Sequence, residues 1–96
     1  MNNSNASANA SANASANDNI RNISMIAREI RRDWKNVYFG AGPYLNAMSE
    51  LNTIKDNYGA DSAKSIILYF LSNASSWRGE NARRIKAELK AICRGN

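Results

Sequence analysis

Between residues 20 and 35 the apolar side chains Ile20, Ile23, Ile26, Ala27, Ile30 and Trp34 recur at the three-and-four spacing of one face of an α-helix. This predicts a first helix capped by Asp18 or Asn19 and running to about Lys35. Asn36 to Gly42 reads as a connector whose Val37, Tyr38 and Phe39 fold back onto the core. A second helix opens at Pro43, where a missing N–H costs nothing, with Tyr44, Leu45, Met48 and Leu51 as its apolar face. It ends before Gly59, and Lys55 to Gly59 offers a last turn with Gly59 as a left-handed C-cap. Asp61 caps a third helix containing Ile66, Ile67, Leu68, Tyr69, Phe70 and Leu71 in unbroken succession.

Six consecutive apolar residues point all round a helix, so the third is expected at the centre, wrapped by the others. A buried strand is the competing reading of that run. No second strand is apparent to pair with it, and Ala63, Lys64, Ser72 and Ala74 extend it in helical style. The fourth helix follows Ser75 and Ser76, buries Ala82, Ile85, Leu89, Ile92 and Cys93, and stops at Gly95 after Arg94. The expected fold is all-α, a compact bundle of about four helices with a central apolar third helix, preceded by a disordered Asn/Ala/Ser tail.

That tail, residues 1–19, carries no such pattern. From Asn5 to Asn17 alanine fills every even position, and Asn and Ser alternate on the odd ones in a strict four-residue repeat. With only methyl groups to bury, it does not offset its ordering entropy and reads as a disordered spacer. The domain proper is residues 20–96. That length supports a modest core and disfavours a large internal active-site cavity.

Charge changes the picture most. Thirteen basic residues stand against eight acidic ones, for a net charge of +5, and the surplus sits at the ends of the domain. Residues 20–36 carry five basic and two acidic side chains, and residues 76–96 carry six and two. On the first helix Arg21, Arg28, Arg31, Arg32 and Lys35 form one sector, while Glu29 and Asp33 lie together on another side, as surface ion-pair partners beside Arg28 and Arg32. On the last helix Arg83, Lys86, Lys90 and Arg94 form a row. Like charges without neutralising neighbours raise the local potential and attract polyanions, although such a sector is equally what a solvated helix face looks like.

The chemistry of sites is sparse. There is no His, and the single Cys93 forms no internal disulfide or Cys-based zinc site, so no metal or other cofactor is expected and the chain does not read as an enzyme. Cys93 projects from the apolar side of its helix and reads as buried. The loop Gly40-Ala41-Gly42-Pro43 precedes a helix, but Pro43 removes an amide and the Lys of a nucleotide-binding loop is missing, so it reads as a turn. Trp77 and Arg78 beside Gly79 form either a recognition corner or a place where Trp77 closes the core and Arg78 is solvated. Tyr38, Phe39, Tyr44 and Tyr69 read as core or turn anchors, and Tyr58 as the most exposed aromatic. The longest apolar run, Ile66 to Leu71, is far short of the roughly 20 residues that span a bilayer. With no basic start or apolar signal core at the N-terminus, a cytoplasmic location is expected.

The stretch from Ile26 to Ile92 resembles a group of small proteins encoded in bacteriophages and related mobile elements. The likeness rests on Asp33-Trp34-Lys35-Asn36-Val37-Tyr38-Phe39-Gly40-Ala41, Pro43-Tyr44-Leu45, Asp61-Ser62-Ala63-Lys64-Ser65-Ile66, Tyr69-Phe70-Leu71, Trp77-Arg78-Gly79-Glu80 and Ala82-Arg83-Arg84-Ile85-Lys86. It excludes the repeat tail and implies an origin, in a bacterial host, rather than an activity.

Two functions are expected from these features. The first is nucleic-acid binding through the basic faces of the first and last helices, with Arg28, Arg31, Arg32, Lys35, Arg83, Lys86 and Lys90 on phosphates. It requires the two rows to share one face of the fold. The second is a protein-binding inhibitor of a host defence nuclease, anti-CRISPR-like, acting on a host nucleic-acid-handling protein with Trp77 and Arg78 as anchors. The breadth of the first helix's apolar stripe also allows a homodimer that buries Ile20, Ile23 and Trp34.

Overall fold

The structure is a computed structural model that describes residues 21–95. The repeat tail, the expected caps Asp18 and Asn19, and Ile20 lie outside the described residues. Helix α1 spans Ile23–Asp33, with Asn22 as its N-cap. The side chain of Asn22 makes no capping bond. Instead the first-turn amides of Ile23 and Ser24 donate to the carbonyls of Asn52 and Leu51, at 3.0 and 2.8 Å. The start of α1 is thus fixed by distant backbone rather than by its own sequence. Ile23, Ile26, Ala27 and Ile30 are buried as the spacing requires, and the helix closes at Trp34, one residue before Lys35.

Helix α2 is short, Gly42–Met48, with Pro43 in its first turn. The chain then turns through Thr53–Asp56, where the Asp56 carboxylate accepts from the amides of Asn52 and Thr53 at 2.8 and 3.0 Å. In place of the extra helical turn expected before Gly59, strands β1 (Asn57–Tyr58) and β2 (Asp61–Ser62) pair antiparallel, Asn57 with Ser62 and Tyr58 with Asp61. Gly59, at φ +62°, opens the two-residue hairpin loop, a backbone state L-residues resist. The fold is therefore mostly helical with a small strand pair, rather than all-α.

Ser62, not Asp61, caps helix α3 (Ala63–Ser72): its hydroxyl accepts from the Ser65 amide at 3.1 Å. Helix α4 runs Glu80–Arg94 and begins five residues beyond Ser75, because Ala74 and Trp77 are held in the core by the connection before it. Its N-cap is Gly79 at φ +113° and its C-cap Gly95.

The helices close a ring in which α1 packs on α2 and α4, and α3 packs on α2 and α4. No helix is central. Ala63, Ile66, Ile67 and Phe70 of α3 are buried, but Leu68 and Tyr69 are 45% and 52% exposed, so the six-residue apolar run is only half absorbed by the core. The aromatic centre of the domain is Trp34, Phe70 and Trp77. Trp34 stacks on Trp77 at 5.8 Å between ring centroids, and Phe70 meets both edge-on at 6.2 and 6.3 Å. Ile23 and Trp34 are covered by the chain's own helices, which leaves neither for the dimer interface considered above.

Candidate functional site

Helices α1 and α4 run antiparallel along a charged seam. Arg21 grips both carboxylate oxygens of Glu88, from Nε at 2.9 Å and from a terminal nitrogen at 2.6 Å, while its other terminal nitrogen donates to Glu29 at 2.7 Å. Arg84 donates to the second oxygen of Glu29 at 2.6 Å. Further along, Asp33 accepts from the Trp77 indole N–H at 2.8 Å and from Asn81 at 3.0 Å. Hydrogen bonding to Arg84 and Arg21 lowers the Glu29 pKa from its usual 4.5, and bonds from Asn81 and Trp77 lower that of Asp33. The bond to Glu88 raises the pKa of Arg21 further. Glu29 therefore pairs with Arg21 and Arg84, and Asp33 with the neutral donors Trp77 and Asn81, neither with Arg28 or Arg32, and Arg21 leaves the free basic sector.

Two of the expected contact residues are structural. Trp77 is 2% exposed and fills the core, so the recognition corner reduces to Arg78, which is exposed. Lys86 donates to the Trp77 carbonyl at 2.7 Å, and its ammonium lies 5.7 Å from the centre of the Trp77 ring. Burial, with Lys90 and Arg78 nearby, lowers the Lys86 pKa. Lys86 closes the connection before α4 rather than reaching outward.

The cations that remain fall on two separate surfaces. Glu29 and Asp33 mark the side of α1 that meets α4, and Arg28 and Arg32 lie about 100° round the helix from them. Arg31 turns further from the seam and donates to Asn46 of α2. On α4, Arg84 and Glu88 face α1, Arg83 lies about 100° round the helix from Arg84, and Lys90 borders the groove shared with α3. Arg31 thus reaches toward α2 and Lys90 toward α3, with the ion-paired seam of Arg21, Glu29, Arg84 and Glu88 between the two helices.

Each surface gains residues whose exposure the sequence did not announce. Past the end of α1, Lys35 is exposed, and Tyr38 and Phe39 stand out of the connector at 45% and 83% exposure, their rings 4.8 Å apart. They were expected in the core. Gly40 lets the Tyr38 ring fold down beside Asn73, since a Cβ there would come within 2.5 Å of the ring and 2.8 Å of the Asn73 amide oxygen. Tyr69 and half-buried Tyr44 form a second aromatic pair, between α2 and α3, with ring centroids 5.4 Å apart. On the opposite side of α3, an open groove of about 540 Å³ runs between α3 and α4. Leu68, Leu71 and Cys93 form its floor, and Lys64, Lys90 and Arg94 its rim.

Among the described residues no three His, Cys, Asp or Glu side chains gather to hold a metal ion. No described helix is long and apolar enough to cross a membrane. Comparison of the chain with protein-family models, with curated proteins and with solved structures gives no match.

Proposed function

We propose that this chain is a non-enzymatic accessory protein that binds single-stranded nucleic acid on the outer face of α1 and the connector that follows it. Arg28, Arg31, Arg32 and Lys35 contact successive phosphates, and Tyr38 and Phe39 offer ring faces on which bases stack. The observation that carries this reading is the exposed Tyr38–Phe39 pair, which begins three residues beyond a run of four cations with no carboxylate partner among the described residues. Cations that track a backbone beside aromatic faces are the common requirement of sequence-tolerant single-strand binding, with stacking worth about 1–3 kcal/mol per base. A duplex keeps its bases stacked and gains only the phosphate contacts. Arg78, Arg83 and Lys90 lie off this surface and are not assigned to it.

The test is fluorescence anisotropy of labelled single-stranded and duplex oligonucleotides with the full chain over a range of salt. Four phosphate contacts imply that log K falls against log salt with a slope of roughly −3 on a single strand. Single strand should bind more tightly than duplex, and Arg28→Glu with Arg32→Glu should weaken binding far more than Arg78→Glu with Arg83→Glu. No binding at low salt, or equal losses from the two pairs of reversals, refutes the assignment. A protein partner is the second reading, favoured by the groove between α3 and α4.

A further inference from the structure

The α3–α4 groove is chemically unlike the α1 face. Its floor is aliphatic, made by Leu68, Leu71 and Cys93, and offers no ring on which a base could stack. Its rim carries three cations, Lys64 and Lys90 on facing helices and Arg94 at the end of α4, and none has a carboxylate partner among the described residues. The positions on α3, Lys64, Leu68 and Leu71, follow a four-then-three spacing and so form one straight stripe about 10 Å long, nearly two helical turns. Leu68 is 45% exposed at the middle of that stripe.

We propose that this groove is the docking site for a short acidic amphipathic helix of a partner protein. Apolar side chains at helical spacing on the partner cover Leu68 and Leu71, as in other helix-in-groove complexes, and Asp or Glu on both edges of that stripe meet Lys64 on one wall and Lys90 and Arg94 on the other. The complementarity is two-sided: a basic helix is repelled by the rim, and a purely polar acidic segment leaves the floor wet. A phosphodiester backbone satisfies the rim but leaves the aliphatic floor uncovered. An acyl chain satisfies the floor but remains largely in water in so open a groove, whereas small-ligand sites bury most of their ligand. The inference rests on the protein-partner reading and is independent of the α1 face.

The test is a selection from a displayed library of random peptides of roughly a dozen residues, about three helical turns, against the full chain. The expected peptides carry aliphatic residues at three-and-four spacing flanked by Asp and Glu. Synthesised and labelled, they should bind Leu68→Ser and Lys64→Glu with Lys90→Glu at least about tenfold more weakly than the unaltered chain. All three positions are exposed, so these variants should keep the native far-UV circular dichroism, and Arg94→Glu replaces the double reversal if it does not fold. An empty selection, peptides without acidic residues, or peptides indifferent to these substitutions overturns the proposal. None of the substituted residues belongs to the α1 face, so oligonucleotide binding reads that face separately.

Discussion

Replacing Trp77 by Phe separates the structural from the functional meaning of the Trp-Arg pair at the start of the last helix. In the structure Trp77 is buried between Trp34 and Phe70, its indole N–H is bound by Asp33, and its carbonyl is bound by Lys86. Phe keeps the backbone carbonyl and a ring in the same place. What is lost is the second indole ring, leaving a void of about 40 Å³ that costs ~1 kcal/mol, and part of the stack on Trp34, worth ~1 kcal/mol more. The Asp33 carboxylate faces water and is rehydrated, so losing the indole bond adds little. The total, about 2 kcal/mol, is a large share of the roughly 4–11 kcal/mol expected for a domain of this size. It should lower the thermal midpoint by some 8–16 °C, measured by far-UV circular dichroism. At a temperature where the variant is folded, its affinity for an oligonucleotide should equal that of the unaltered chain. A midpoint within about 3 °C of the original, or a loss of affinity in the folded variant, would refute the assignment of Trp77 to the core.

Other expectations follow from the same geometry. Glu29→Gln should cost about 1 kcal/mol at neutral pH, because a partly exposed carboxylate bound by two guanidinium groups is screened by solvent but not isolated from them. The Glu29 pKa is lowered on folding, so its contribution is present above the unfolded value near 4.5 and fades as pH falls through the lower folded value. Urea midpoints of the two proteins should therefore converge in acid, and a constant gap would contradict the pairing. Gly79→Ala meets no steric obstacle but places a side chain at φ +113°, so it should lose about 1–2 kcal/mol through backbone strain alone, read from the same urea titration. Cys93 is 5% exposed at the floor of the α3–α4 groove and burial raises its thiol pKa, so Ellman's reagent should react with it more slowly in the native protein than in urea. Rapid native labelling would place Cys93 on the surface.

The parts of this fold that the sequence announced are the strongly periodic ones. Ile23, Ile26, Ala27 and Ile30 on α1, and Ala82, Ile85, Leu89, Ile92 and Cys93 on α4, are buried where their spacing puts them. The parts it concealed have no period to read. Two strands of two residues each leave no alternation, so Asn57 to Ser62 passed for a helical turn and a cap, although Tyr58-Gly59-Ala60-Asp61 is a two-residue hairpin with glycine in the required place. The unbroken run from Ile66 to Leu71 carries no direction, so Leu68 and Tyr69 looked as buried as Ile67 and Phe70.

The site was legible in its charges and illegible in their pairing. Arg21 reaches Glu88 across sixty-seven residues of sequence, a contact that no local pattern contains. A partial signal was available: Glu29 and Asp33 lie four apart on one side of α1, Arg84 and Glu88 four apart on one side of α4, and matching stripes of this kind mark two helices that meet. That pairing turns one broad basic surface into two narrow ones. Tyr38 and Phe39 were hidden for a different reason, since an aromatic residue in a glycine-rich connector has the same composition whether it folds inward or outward.

The central claim is that the outer face of α1 and its connector, rather than both terminal helices, meets the nucleic acid. Titration of the ¹⁵N-labelled full chain with a single-stranded oligonucleotide, followed by amide chemical shifts, tests it most directly. The account expects the shifts to concentrate at Arg28, Arg31, Arg32, Lys35, Tyr38 and Phe39. Shifts centred on Lys64, Lys90 and Arg94, or none at low salt, would contradict it.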